Sequence, residues 1–368
     1  MKRLAIVAGE HSGDQLAAAL MGEINARTAV TWRGVGGEAM VAQGLSAVFP
    51  MAAVSVNGFD AIVRQRPALL RRIGEAAHAV AAFAPDGLII VDAPEFSHRV
   101  ARRVRKALPG LPVVNLVSPT VWAWRPGRAT AMRAYVDRVL CLFPFEVEAH
   151  RRLGGPPATY VGHPLFEAMR RTAPAEGDSL LVLPGSRRGE VERLMDLFGA
   201  AAGAAAGGRQ ITVLAVEHLR DRIEALAEKW PQRPVIISGP DAKTEAFAGA
   251  RAALAASGTV TFELSAAQVP MAVAYRLDGI GKVIKALHPV FPIVKAQSMA
   301  LTNIILGREA VPTFLDEEGS PEALAGALQP LLSGGPQREA QLAAFGELQS
   351  IMHVERPPAA MAADAVLE

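Results

Sequence analysis

The sequence predicts an α/β protein of two doubly wound halves around a central cleft, and three observations predict it. Short β-branched runs alternate with longer segments whose apolar residues recur at helical spacing. A polar break from Arg170 to Ser179, carrying Pro174 and Gly177, interrupts the alternation, which then restarts. At 368 residues the chain is also too long for one ordinary core.

The first run, Leu4–Val7, precedes a helix with Leu16, Leu20 and Ile24 on one stripe. Leu88–Val91 leads into a helix over Glu95–Leu108. Val113–Val117 leads through a loop to Arg128–Tyr135, and Val139–Phe143 precedes Glu146–Leu153. Beyond the break the strands are Leu180–Leu183, Ile211–Val216, Val235–Ser238 and Met271–Ala274. This order makes parallel sheets, whose ligands gather at the carboxyl ends of the strands. The expected boundaries are 1–168 and 169–335, then a helical tail, 336–368. That tail packs on its own domain, crosses back to the first half or exchanges with a partner chain.

Composition narrows the function classes. Hydrophobic residues are 51% and charged ones 20%, which fits a packed globular chain. A net charge of +2 gives no reason to expect a nucleic acid partner. Cys141 is the only cysteine, which excludes an intrachain disulfide and fits a reducing cytoplasm. Lys2 and Arg3 precede an apolar run, but Glu10 and Asp14 follow at once, so a buried first strand is expected rather than a signal peptide. The most apolar later stretch, Ala252–Tyr275, is interrupted by Glu263, Gln268 and Pro270, so no segment offers the ~20 apolar residues of a spanning helix.

Candidate chemistry sits at the strand ends. Gly9 to Asp14 forms a tight turn in which Ser12 suits a helix cap and Glu10 with Ser12 can face the cleft. Asp92 follows its strand directly; it either caps the helix opened by Pro94 or takes a proton from a sugar hydroxyl as general base. Trp122 and Trp124, in a Trp-Ala-Trp-Arg loop, are either core or a wall for a sugar ring or acyl chain. Gly185, Ser186 and Arg187 stand where backbone amides and a helix N-terminus suit a diphosphate, without P-loop spacing. Gly258 and Thr259 precede Glu263, which either caps a helix or accepts from a ribose diol. Asn303 lies in a polar island after an apolar stretch. No Asp-x-Asp pair occurs and the eight histidines do not cluster, so no metal and no cofactor is expected, and His11, His98 and His163 read as structural.

Taken together, AGEHSGD, VGGEAM, VDAPEF, VSPTVWAWRPGR, FPFE, YVGHPL, LPGSRRGEV, ASGTVTFEL, VPMAVAY and NIILGREAVPTFL resemble, in order from residue 8 to 315, the lipid-A-disaccharide synthase family of inverting GT-B glycosyltransferases. The resemblance implies that UDP-2,3-diacylglucosamine and 2,3-diacylglucosamine 1-phosphate (lipid X) give a β-1,6 disaccharide 1-phosphate and UDP. It also implies Asp92 as base with Glu10 beside it, Arg187 and Glu263 on the donor, Asn303 as a further active polar position, and a homodimer formed through the tail. His11, Thr302 and the stretch Gly279–Gln297, which keeps Lys282, Lys285 and Lys295, depart from the family pattern.

An acylated acceptor implies a membrane surface. Between Val54 and Arg72, apolar Phe59, Ile62 and Val63 interleave with Arg64 and Arg66. Such a segment either enters anionic headgroups from the cytoplasmic face of the inner membrane or packs on its own domain. The rival readings are another GT-B enzyme (a polyprenyl-linked sugar transferase or UDP-sugar epimerase) and a non-catalytic nucleotide-sugar sensor.

Overall fold

The computed structural model describes residues 1–54, 66–169, 177–277 and 300–368. They fall into two compact units, residues 1–164 with 354–368, and residues 165–353.

Unit 1 carries β1 (Lys2–Ala8), β2 (Val30–Val35), β3 (Leu45–Ala47), β4 (Gly87–Val91), β5 (Val113–Leu116), β6 (Arg138–Cys141) and β7 (Ala158–Tyr160). They form one parallel sheet in the order β3-β2-β1-β4-β5-β6-β7. Alternation along β1 explains its burial on both faces: Leu4 and Ile6 pack with Leu20 and Ile24, while Ala5 and Val7 meet Ile73, Val80 and Val100.

Unit 2 carries β8 (Ser179–Leu183), β9 (Ile211–Ala215), β10 (Val235–Ser238), β11 (Ala250–Ala256), β12 (Met271–Tyr275) and β13 (Thr313–Leu315). Their order is β10-β9-β8-β11-β12-β13, again parallel. Both sheets therefore wind outward from a first strand and reverse beside it, between β1 and β4 and between β8 and β11. That reversal opens a crevice at the carboxyl ends, the place where such folds hold ligands.

Several elements differ from expectation. β11 was not expected from the sequence, because five of its seven residues are alanine, a residue depleted in strands. Central placement between β8 and β12, with Ala252 to Ala256 buried, overrides that propensity. The helix expected at Arg128–Tyr135 runs only from Gly127 to Met132.

The last residues divide between the units. Helix Pro336–Met352 stays in unit 2, where the Gln341 amide closes on the Met271 backbone in both directions. Helix Pro358–Leu367 belongs to unit 1 and lays Ala362 and Ala363 in one core cluster with Leu20, Met21 and Ile24. Gly162 lets the chain return: a Cβ there would lie 2.9 Å from Val354 and 3.1 Å from Pro358. Arg27 and Arg138 then fasten the helix through Asp364 and Glu368.

Of the membrane-facing candidates, Phe59, Ile62, Val63 and Arg64 lie outside the described residues, as do the Arg66 side chain and Lys282, Lys285 and Lys295. Nearby, Val54 is buried and half-buried Leu69 packs on the same core, while Leu70 is exposed. Among the described residues no helix is long and apolar enough to cross a membrane.

Candidate active site

In unit 1 the register Ala8↔Val91 sets the turn after β1 against the loop after β4. A Cβ on Gly9 would meet Ala93 at 3.0 Å, and one on Gly13 would meet the Asp92 Cβ at 3.7 Å, so the glycines permit this close approach. Glu10, rather than the expected Ser12, is the N-cap of helix His11–Asn25, and both side chains are exposed. Buried Asp14 caps a different helix, accepting from the amides of Gly37, Ala39 and Met40.

Asp92 and Ala93 both have a φ of 45°, a left-handed conformation unusual for residues with a Cβ. The pair is held from two sides. The Asp92 N–H donates to Leu116 O at 3.2 Å, and the Ser97 hydroxyl donates to the carbonyls of Asp92 and Ala93. Burial pushes the Asp92 carboxyl up from its ordinary value, against a smaller opposing pull from the Ala93 N–H. A carboxylate raised in this way is a stronger base than a solvated one.

The Trp122–Trp124 loop lies beyond β5, on the same edge. Trp122 is half-buried, edge-on to Phe145 at 5.2 Å. Trp124 remains 37% exposed under the Arg125 guanidinium, 5.2 Å from its ring centroid. The two tryptophans therefore differ: one packs the wall, the other leaves a ring face open. Behind Trp122 sits a residue given no role from sequence, Glu146, only 3% exposed. Desolvation pushes its carboxyl up to about 8, opposed by the Phe143 N–H, the Trp122 indole and the Leu142 N–H.

In unit 2 a cavity of about 570 Å³ opens at the ends of β8, β9, β10 and β11, within the usual range for a small ligand. Gly185, Ser186, Gly258, Thr259 and Glu263 line it. Gly185 has a φ of 109°, and a Cβ there would fall 2.1 Å from the Glu190 carboxylate. Glu190 accepts the Ser186 N–H at 3.2 Å and shapes the loop from below. Lys243, also missed in the sequence, reaches across the cavity to form an ion pair with buried Glu263. Its signal was positional: helix Pro240–Gly249 begins directly after a strand, at Gly239-Pro240.

Two expected residues stand apart. Arg187 is the exposed N-cap of helix Arg188–Ala205 and does not line the cavity. Asn303 is buried away from it; its oxygen accepts the N–H groups of Ala310 and Val311, and its nitrogen donates to Val311 O at 2.8 Å. That amide orders the turn leading to β13. Among the described residues no group of three or more His, Cys, Asp or Glu is arranged to hold a metal ion.

Comparison with known proteins adds to this geometry. Residues 4–363 match the family model described as lipid-A-disaccharide synthetase. The lipid-A-disaccharide synthase of Nitrobacter hamburgensis is 46% identical over 384 residues, spanning 100% of this chain and 95% of that protein. The enzyme of the same name from Rhodopseudomonas palustris strain HaA2 is 46% identical over 386 residues, with 100% and 96% covered. Among solved structures, Acinetobacter baumannii MurG superposes with a TM-score of 0.60 at 14% identity, covering 100% of this chain and 99% of its own. At that identity the likeness is one of fold, the GT-B arrangement of two parallel-sheet α/β domains.

Proposed function

The chain belongs to the lipid-A-disaccharide synthase family, and on that premise we propose how its residues divide the work. It is a glycosyltransferase that forms the lipid A disaccharide from a nucleotide-sugar donor and a sugar acceptor. The proposed donor is UDP-2,3-diacylglucosamine and the proposed acceptor 2,3-diacylglucosamine 1-phosphate. Their acyl chains bring the protein to an anionic surface on the cytoplasmic face of the inner membrane.

Asp92 takes the proton of the acceptor 6-hydroxyl as that oxygen attacks the donor anomeric carbon. The bond from that carbon to the diphosphate breaks, and UDP leaves with the electron pair. One displacement inverts the anomeric centre and gives the β-1,6 linkage without a covalent sugar intermediate. In unit 2, the Gly185–Arg187 loop stabilises the departing diphosphate and Glu263 accepts from the ribose diol. Lys243 then becomes a free cation beside the nucleotide. Glu10 and Ser12 orient the acceptor, and Trp122 and Trp124 flank it.

The observation that carries this reading is the Asp92 loop: a raised, half-buried carboxyl held in a left-handed backbone at the reversal point of a parallel sheet. The test is incubation with both purified acylated substrates, followed by mass spectrometry. Disaccharide 1-phosphate and UDP in equal amounts are expected. Free UDP without disaccharide would point to hydrolysis or epimerisation instead, and no product at all to a nucleotide-sugar sensor.

A further inference from the structure

A second cavity, of about 440 Å³, lies wholly within unit 1, just past Asp92 along the chain. Its lining includes Arg99, Arg102, Arg125 and Arg128 together with His98 and Tyr135. Four guanidinium groups round one opening repel each other unless an anion is among them. The chain supplies one, Glu95, which is paired to Arg99 at 2.7 Å, Arg128 at 3.0 Å and Arg125 at 3.7 Å. One carboxylate leaves three positive charges unbalanced. Arg102 has no carboxylate among its described contacts: it stacks on the Tyr135 ring at 4.6 Å and donates to the Tyr135 hydroxyl at 3.4 Å.

Buried His98 supplies an independent sign. It is 4% exposed, its Nδ1 lies 3.1 Å from the Tyr135 hydroxyl, and its Nε2 has no hydrogen-bond partner among the described residues. The Tyr135 hydroxyl can donate to Nδ1 while its oxygen accepts from Arg102, and in that arrangement the imidazole proton sits on Nε2. A buried ring nitrogen without a partner is costly, and His98 belongs to the cavity lining. Burial, followed by the charges of Arg128 and Arg102, holds His98 down to about 3, so the imidazole is neutral at physiological pH.

We propose that this cavity is a phosphate-monoester site, and that its ligand is the anomeric phosphate of the sugar acceptor. Arginine forks match phosphate oxygens in pairs, and a dianion fits the unbalanced charge. The acceptor assignment rests on the reading given above. Asp92 and the cavity-lining Pro94 and Glu95 share one loop, so the proposal seats the pyranose along it, with its hydroxyl at Asp92 and its phosphate at the arginines. The site then fixes which end of the acceptor meets the base.

Full-length wild type, Arg102→Ala, Arg128→Ala and Arg128→Lys are titrated with soluble glucosamine 1-phosphate, inorganic phosphate, glucosamine and phosphatidylglycerol vesicles, with binding followed by calorimetry. They are then assayed with acylated acceptor carrying or lacking its phosphate. Each alanine variant should weaken glucosamine 1-phosphate binding about 10- to 100-fold, as loss of a charge-assisted contact does. It should raise acceptor KM alike and leave UDP affinity unchanged, with Arg128→Lys intermediate. Removing the acceptor phosphate should raise KM in wild type and raise it less in the alanine variants. Disaccharide formation with unaltered acceptor KM in both alanine variants overturns the site and spares the function. Failure of wild type to make disaccharide overturns the function, while the calorimetry still decides the site. Inorganic phosphate binding as tightly as the sugar phosphate overturns the acceptor assignment. So does loss of binding to phosphatidylglycerol vesicles with glucosamine 1-phosphate affinity intact, which would make the ligand a lipid headgroup.

Discussion

The two sheet-reversal points use one topology and opposite backbone chemistry. Around the unit 1 edge, left-handed positions are held by residues with side chains: Asp92 and Ala93 at 45°, Val117 at 73° and Arg125 at 53°. Around the unit 2 cavity they are held by glycine, Gly185 at 109° and Gly239 at 97°. A loop that must bring amides close to a diphosphate benefits from having no Cβ in the way. A loop that must aim one carboxylate has to keep its side chain, and bears about 1–3 kcal/mol of backbone strain to do so. Ser97 and Leu116 supply the bonds that hold it there. In the proposed reaction the difference separates a surface that binds from a residue that reacts.

The largest expected effect tests the reacting side. Asp92→Asn keeps the shape and removes the base, so turnover should fall about 10²- to 10⁴-fold while UDP affinity in unit 2 stays within twofold of wild type, roughly. Measured by initial rates and calorimetry, normal turnover would break the comparison. The same residue sets a pH limb. Its proton is bound more tightly than in an ordinary aspartate, so kcat/KM should begin to fall at a higher pH than an ordinary aspartate would give, and the limb should vanish from the residual rate of the variant.

Gly185→Ala strikes the binding side. The new methyl meets Glu190 and the backbone resists a φ of 109°, so UDP should bind about 1–3 kcal/mol more weakly. Acceptor KM should hardly move. Equal loss in both substrates would mean that the loops do not act separately.

The remaining effect concerns stability rather than turnover or binding, and it sharpens the contrast because it belongs to unit 1. Glu146 holds its proton up to about 8 when folded, against an ordinary 4.5. Between those values the folded form carries one proton more than the unfolded form, so stability falls as pH rises, by up to about 1.4 kcal/mol per pH unit. Glu146→Gln should flatten that slope in thermal unfolding followed from pH 5 to 8. An unchanged slope would place the proton elsewhere.

How much of this was legible depends on whether a feature is local. The β4–Asp92 junction was, because an apolar run ends abruptly on a carboxylate and a proline; so was the Gly185 turn after β8. Properties created by distant segments were hidden. Glu146 reads as an ordinary acidic residue in the first turn of a helix, and only the approach of Trp122 and Phe143 makes it a buried acid. Lys243 lies in a helix without marked amphipathic spacing, and its partner Glu263 is twenty positions away. The apparent polar island at Asn303 is resolved by the turn at Ala310 and Val311, whose backbone its amide completes. β11 was hidden for the opposite reason: its centrality in the sheet, not its composition, makes it a strand.

The returning helix Pro358–Leu367 has a consequence for how the protein is made. Its docking surface, built from Leu20, Met21 and Ile24, leaves the ribosome more than three hundred residues before the helix that covers it. At ordinary translation rates that interval lasts roughly 20–60 s, during which a greasy groove on the nascent chain stands open. The first unit to be synthesised is thus the last to be sealed. A message broken before the codon for Pro358 yields a chain in which unit 2 has all its residues and unit 1 keeps an exposed apolar face, a ready mark for chaperones and proteases.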